Sequence, residues 1–339
     1  MTPAAIYAAG RFNIIDRPVG LKIHKTATPL LGGVAVYIAF AVAAVATLPL
    51  TPTVTGLLVG GLVAVIVGVV DEKVSLPPLV HLIGQAVVAG VAILAGVGFV
   101  RTISLPTAGL TAPGLVVPGA VGLLFTLVWL VGMMNTINFL DGLDGLASGV
   151  VALAALLLAI WASEPRRFFL PGTHQENLFL PLALAGALIG FLPFNWRPAR
   201  IFLGDSGALF LGLAVGALSI TGATKLGTAL LVLIIPVLDV AWAIVRRSMH
   251  GRSFLSGDKQ HVYHRLLELG VGYRRVVLLF YLLCVALGAL DLLLLKLLKL
   301  IAFIVLAGVM AAGFWLLEIR ASRLANSHEP PEGIRRAGP

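Results

Sequence analysis

Charge is scarce in this chain. Only 12% of its 339 residues are Asp, Glu, Lys or Arg, where a soluble domain carries about 25%. Apolar residues make up 59%, and the mean hydropathy is +1.03. That balance excludes an ordinary soluble globular domain and makes the chain an integral membrane protein. Cysteine is nearly absent too: Cys284 stands alone inside an apolar run, which excludes an intrachain disulfide. No cleavable signal peptide is visible, because Met1–Gly10 is too short and lacks the usual layout. No break in composition marks a second globular domain, and no short-period repeat is found. Residues 1–317 therefore read as one multi-spanning transmembrane domain. Residues 318–339, rich in Arg, Glu, Pro and Gly, read as a cytoplasmic tail, a surface helix end followed by disorder.

Long apolar runs are what the chain has instead. A span needs roughly 20 mainly apolar residues, and the runs predict an all-α polytopic protein of about ten transmembrane helices near 31–50, 54–70, 79–100, 117–138, 144–162, 178–194, 207–223, 227–245, 275–295 and 299–317. Gly-rich stretches such as Gly56–Gly68 and Gly207–Gly222 suit close helix approach. The net charge of +9 raises the question of nucleic acid, but its distribution answers no. With connections assigned alternately to two sides, 18 of the 24 Lys and Arg fall on the side of residues 1–30. The positive-inside rule makes that side cytoplasmic, and the basic residues gain a second use near anionic headgroups or phosphates.

The acids are distributed just as unequally. Asp71, Glu72, Asp141, Asp144, Asp205, Asp239 and Asp258 all fall at expected cytoplasmic helix ends or loops. A transporter more often places a carboxylate or a broken helix at the midplane. Acids gathered at one face suit an enzyme whose soluble and lipid substrates meet at the interface.

Four constellations carry that reading. Asn135, Asn138, Asp141 and Asp144 recur every third residue beside an apolar segment. On a helix they form one polar stripe, acceptor-rich and suited to a hard cation or to the donors of a polar substrate. Asp71-Glu72 follows directly on an apolar span; adjacent carboxylates divide labour, or simply belong to a charged turn. Asp205 lies between Gly204 and Ser206-Gly207 at the mouth of a helix, exposed for a metal or phosphate, although Asp205 and Ser206 also fit helix N-caps. Arg197 and Arg200 just before it bind phosphates or obey the charge rule. In the longest polar connection, about 246–274, His261 and His264 are three apart among basic residues. With no Cys partner, they read as donors facing a pyrophosphate rather than as a zinc set, and a solvated basic loop is the alternative.

Taken together and in this order, the motifs Asp16-Arg-Pro18, Lys22-Ile-His24, Gly32-Gly33, Asp71-Glu72, Gln85, Asn135–Gly149, Asn195–Gly212, Pro236–Asp239 and Asp258–Gly270 resemble the polyprenyl-phosphate N-acetylhexosamine-1-phosphate transferase superfamily, in particular bacterial undecaprenyl-phosphate GlcNAc-1-phosphate transferases. The resemblance runs from about Ile15 to about Tyr281. It implies transfer of a sugar 1-phosphate from a UDP-N-acetylhexosamine to a polyprenyl phosphate in the bacterial inner membrane, with release of UMP and dependence on Mg²⁺, or Mn²⁺ in its place. It also implies Asp205 and Asn138 at the metal, Asp71 and Glu72 as catalytic acids, and Lys25, Asp141, Asp144, Asn195, His261 and His264 against substrate. A homodimer is expected by the same analogy. Asp71 has little to deprotonate, since a phosphate monoester is already largely ionised near neutrality (pKa₂ about 6).

Three residues depart from the family pattern: Glu72 where a second Asp is usual, His81 where Lys is common, and Tyr263 within the familiar His-x-His-His. Only about ten residues precede Arg11, so the helix that family members carry before Asp-x-Pro is expected to be missing, or the start codon to be misassigned. The nearest rival is the phospho-MurNAc-pentapeptide transferase branch, whose last cytoplasmic loop typically has three consecutive histidines. A secondary transporter is the rival from another class.

Overall fold

A computed structural model describes residues 1–16, 27–103, 115–163, 175–221, 225–249, 261–294 and 296–327. Helix dominates, and the long helices fall where the apolar runs predict them: α2 (Gly32–Thr47), α3 (Pro52–Val74), α4 (Pro78–Ala92, continued by a π turn Ile93–Val97), α5 (Gly119–Leu140), α6 (Leu146–Ser163), α7 (Glu176–Asn195) and α8 (Gly204–Ile220). They are followed by α9 (Lys225–Val232) with α10 (Ile234–Met249), the short α11 (Val262–Glu268), α12 (Tyr273–Leu293) and α13 (Lys296–Ser327). Six of the described helices are long and apolar enough to cross a membrane, or seven if α9 and α10, bent by 79°, make one span. Two antiparallel pairs of two-residue strands, β1 (Ile15–Asp16) with β2 (Thr28–Pro29) and β3 (Thr102–Ile103) with β4 (Leu115–Val116), are the described strands.

Several expectations need correction. Residues Thr2–Arg11 do form a helix, α1, which packs on α2. At about 15 Å it covers only half of a roughly 30 Å hydrocarbon layer. Asp71 and Glu72 do not follow the span: α3 continues through them to Val74, because Ser75 in the left-handed conformation (φ 55°) is what ends it. Asp239 lies inside a helix, six residues into α10, rather than at its end. The last helix runs on to Ser327, in keeping with a helix end at the start of the tail, and residues 328–339 lie outside the described residues.

Proline sets many of the helix starts. Pro52, Pro78 and Pro118 stand at or just before first helical positions, where no backbone N–H is required. Thr51 caps α3, its hydroxyl accepting from the Val54 N–H at 3.3 Å.

The core is organised around α8. Every residue from Ser206 to Ser219 is buried, as expected of a helix apolar on all sides. It packs mainly on α3, α5 and α2, and Phe40, Phe191 and Phe210 fill the space between. Small residues set the spacing. A Cβ on Gly68 would lie 2.2 Å from Ser206 Cα, and one on Gly33 would lie 2.0 Å from Gly207 N. The backbones of α2 and α3 therefore touch the first turn of α8 with nothing between.

Candidate active site

That contact delivers the chemistry. Glu72 stands one turn beyond Gly68 on α3, so its carboxylate reaches the start of α8: Oε1 accepts from Ser206 N–H at 3.0 Å and from Ser206 Oγ at 2.9 Å. Gly204 permits this twice over. Its φ is +73°, and a Cβ there would meet Glu72 Oε1 at 2.2 Å. Asp205 lies in the first turn of α8 and does not cap it; the N-cap position is Leu203, with no side-chain bond. Asp205 Oδ1 instead accepts from Asn138 Nδ2 at 2.7 Å, tying α8 to the last turn of α5.

The polar stripe holds only in part. α5 ends at Leu140, and Asp141–Gly145 is a turn. Asn138, Asp141 and Asp144 still face one cavity, because the turn folds back over it. Asn135 points elsewhere: its Nδ2 donates to Gln85 Oε1 at 2.5 Å, between α5 and α4. Three tyrosines from the C-terminal third hold the turn. Tyr263 Oη packs on Gly142, where a Cβ would lie 2.0 Å away. Tyr273 Oη accepts from Asp144 N–H, and Tyr281 Oη donates to Gly145 O. Tyr273 and Tyr281 carry no sequence signal of such a role; only the packing of α12 on α6 brings them there.

The cavity has a volume of about 930 Å³. Six carboxylates line it: Asp16, Asp71, Glu72, Asp141, Asp144 and Asp205. Every segment contributing to it belongs to the set of connections that the Lys and Arg bias assigns to a single side. Asp71 is engaged at both oxygens, Oδ1 by Leu76 N–H at 2.7 Å and Oδ2 by His81 Nδ1. His81 is therefore the companion of Asp71 and is not part of the described cavity wall. Glu72 Oε2 is buried with no partner among the described residues.

Asn195 lines the cavity, yet its amide is taken up by protein. Oδ1 accepts from Gly145 N–H at 3.1 Å and Ser148 Oγ at 2.7 Å, and Nδ2 donates to Ile201 O at 3.0 Å. It staples the acidic turn to the segment that leads into α8. The two histidines separate. His264 is on the cavity wall. His261 is buried behind it, with Nδ1 2.9 Å from Asp239 Oδ2 and its ring against Phe139. Asp239 Oδ1 also accepts from Val262 N–H at 3.2 Å, so one carboxylate orients His261 and starts α11. Lys25 lies outside the described residues.

The electrostatics are those of crowded acids. Burial, together with the charges of Asp205, Asp144 and Glu72, pushes the Asp141 carboxyl well above the usual carboxylate range, against a lowering contribution from the Gly204 backbone. Burial and the charges of Asp239 and Asp141 push the Tyr263 hydroxyl up, so it stays a neutral donor. Among the described residues no three His, Cys, Asp or Glu side chains stand close enough to enclose an ion by themselves. The arrangement is thus an open acidic bowl, able to receive a cation that brings ligands of its own.

Comparison with known proteins agrees with this chemistry. The description "Glycosyl transferase family 4" matches residues 54–223. The chain is 36% identical over 304 residues to a decaprenyl-phosphate N-acetylglucosaminephosphotransferase of Mycolicibacterium smegmatis, covering 80% of this chain and 73% of the relative. It is 32% identical over 292 residues to a probable undecaprenyl-phosphate N-acetylglucosaminyl 1-phosphate transferase of Bacillus subtilis, covering 83% and 77%. It is also 32% identical over 287 residues to a phospho-N-acetylmuramoyl-pentapeptide-transferase of Moorella thermoacetica, covering 79% and 85%. A match over half of the chain, and relatives aligned over most of their own length, lead to one assignment: this multi-pass membrane protein is a transferase belonging to glycosyl transferase family 4.

Proposed function

We propose that the chain transfers N-acetylglucosamine 1-phosphate from UDP-GlcNAc to a polyprenyl phosphate, releasing UMP and forming a lipid-linked diphosphate, at the cytoplasmic face of a bacterial inner membrane. The single observation that carries this reading is the convergence of Asp71, Glu72, Asn138, Asp141, Asp144 and Asp205, from three segments distant in sequence, on one cavity at one end of the helix bundle. The relatives named for polyprenyl-phosphate chemistry supply the substrate class.

The donor set fits Mg²⁺. It offers oxygens, its acids outnumber the basic residues facing them among the described residues, and those described residues do not enclose an ion, which suits a metal that keeps water and substrate phosphates in its shell. Asp205 and the Asn138 amide oxygen would hold it, beside the unpartnered Glu72 Oε2. When bound, it would offset the charge of the diphosphate as the bond to the leaving UMP breaks. The protein's own residues then have distinct tasks. Glu72 fixes the first turn of α8 through Ser206 and so sets the direction of Asp205. Asp71, held by Leu76 and His81, would bound the lipid-phosphate side of the cavity rather than take a proton from the phosphate. Asp141 and Asp144 bound the donor side on the turn that the tyrosines hold. His264 supplies a donor to a phosphate oxygen, while His261 acts from behind, holding α11 in place.

The test is a donor screen with protein in lipid nanodiscs, each UDP-N-acetyl sugar being offered with and without polyprenyl phosphate. Lipid-linked GlcNAc diphosphate by mass spectrometry, with UMP in equal amount and only in the presence of lipid phosphate, is the expected result. UMP formed without lipid, or sugar flux across the membrane with no UMP, overturns the reading. The similarity to the Moorella thermoacetica protein favours a second donor, UDP-MurNAc-pentapeptide, which the same screen includes.

A further inference from the structure

Two arginines precede the start of α8, and the structure treats them differently. Arg200 is exposed and forms no part of the described cavity wall. Arg197, half-buried, lines the cavity, and its guanidinium carbon lies 3.6 Å from the centroid of the Tyr273 ring. Among the described residues Arg197 forms no ion pair with a carboxylate, although six of them share its cavity. Its backbone is held as well, Arg197 O accepting from Arg274 Nη2 at 3.5 Å. A guanidinium laid on an aromatic face keeps its N–H edge free for a planar, two-pronged acceptor. The edge of the same tyrosine serves Asp144: Tyr273 Oη accepts the Asp144 N–H and also meets the Asp144 carboxylate. Asp144 Oδ2 in turn accepts from Ala199 N–H at 3.2 Å, two residues beyond Arg197. One aromatic side chain thus holds a cation by its face and an acid by its hydroxyl.

We propose that Arg197 binds a phosphate of a substrate, and that Tyr273 is the positioning residue that sets Arg197 and Asp144 relative to one another. The proposal rests on the transferase reading above. Its ligand chemistry is a phosphate oxygen pair, carried either by the nucleotide sugar or by the lipid. A charge-assisted bidentate contact of this kind accounts for about a tenfold or larger change in affinity.

The test measures KM and kcat for UDP-GlcNAc at saturating polyprenyl phosphate, then for polyprenyl phosphate at saturating UDP-GlcNAc, in nanodiscs. Arg197→Gln raises the KM of one substrate about tenfold or more with a smaller change in kcat, and the arm in which this occurs identifies which phosphate is bound. Arg197→Lys, which keeps the charge, recovers part of the affinity. Arg200→Gln changes neither KM. Tyr273→Leu, which removes the ring, reproduces the KM effect, whereas Tyr273→Phe, which keeps the ring and loses the hydroxyl, lowers kcat more than it raises KM. Unchanged KM for both substrates in Arg197→Gln, or equal effects from Arg200→Gln, overturns the proposal while wild-type turnover stands. UDP and a short-chain polyprenyl phosphate, titrated into the purified protein by thermal shift, separate the two failures. Wild type that binds one of them in an Arg197-dependent way without turning over loses the reaction and keeps the contact. Wild type and Arg197→Gln that bind both equally lose the contact.

Discussion

The two ends of the helix bundle handle buried carboxylates in opposite ways. At the end remote from the cavity, Asp291 is fully buried on α12, 18 residues beyond Tyr273. Its Oδ2 accepts from Thr228 Oγ1 at 2.8 Å and pairs with Lys299 Nζ at 2.8 Å, so the charge has a cation within the protein although Oδ1 has no partner among the described residues. At the cavity, six carboxylates face one another, with Arg197 and His264 as the basic neighbours among the described residues of the wall, and Asp141 is pushed toward its neutral form by burial and then by the charges of its acidic neighbours. A buried acid with its own cation joins α9, α12 and α13. A group of acids that outnumbers the described cations facing it costs stability, and a ligand that supplies positive charge relieves that cost.

The contrast can be broken from either end, beginning with the largest effect. Asp205→Ala should lower lipid-linked product formation by about a thousandfold, the scale of removing a group aimed at transition-state charge, while the purified variant still elutes as a folded membrane protein. Full activity in Mg²⁺ would remove Asp205 from the centre. Chelation with EDTA should abolish UMP release and Mg²⁺ should restore it, because the acids alone leave the diphosphate charge unanswered; undiminished turnover in EDTA counts against the metal. At the other end, Asp291→Ala leaves Lys299 without its partner and should cost about 3 kcal/mol of stability, seen as a lower melting temperature. Turnover per folded molecule should change less than about threefold, since no contact of Asp291 reaches the cavity. A loss of activity as large as that of Asp205→Ala would erase the distinction between the ends.

The smallest effect has a sign opposite to the others. A raised carboxyl pKa means that folding penalises the charged form. Its contribution is most favourable below the unfolded pKa of about 4 and is lost as pH rises through the higher folded value. Asp141→Asn removes that penalty. Without divalent metal at neutral pH the variant should melt higher than wild type, by a few degrees, and the gap should close near pH 4. Mg²⁺ should raise the melting temperature of wild type more than that of the variant. A lower melting point for Asp141→Asn at neutral pH would mean that the acids are not in conflict.

The helices were legible because the bilayer imposes a long apolar run on each span and proline marks the starts of α3, α4 and α5. The acidic site was legible because carboxylates are costly near a membrane and so stand out there. Other features had no one-dimensional signal. The continuation of α3 through Asp71 and Glu72 depends on Ser75 adopting positive φ. The departure of Asn135 toward Gln85 depends on where α5 stops and how α4 lies against it. Asn195 matched a motif, but three hydrogen bonds with Gly145, Ser148 and Ile201 give it a scaffolding task that spacing could not reveal. Tyr273 and Tyr281 carry no signal of this role in the sequence, and only α12 packing beside α6 turns their hydroxyls onto the acidic turn.

By itself, the sequence determined that the chain lives in a membrane and that its helices follow the apolar runs, because each of these is a local consequence of transferring residues between water and lipid. The tertiary structure alone decided which acids meet, which are engaged by protein and which face open space. Those outcomes depend on glycine-to-backbone contacts such as Gly68 against Ser206, where two helices distant in sequence approach with no side chain between them, and such a contact acts over ångströms in space rather than along the chain.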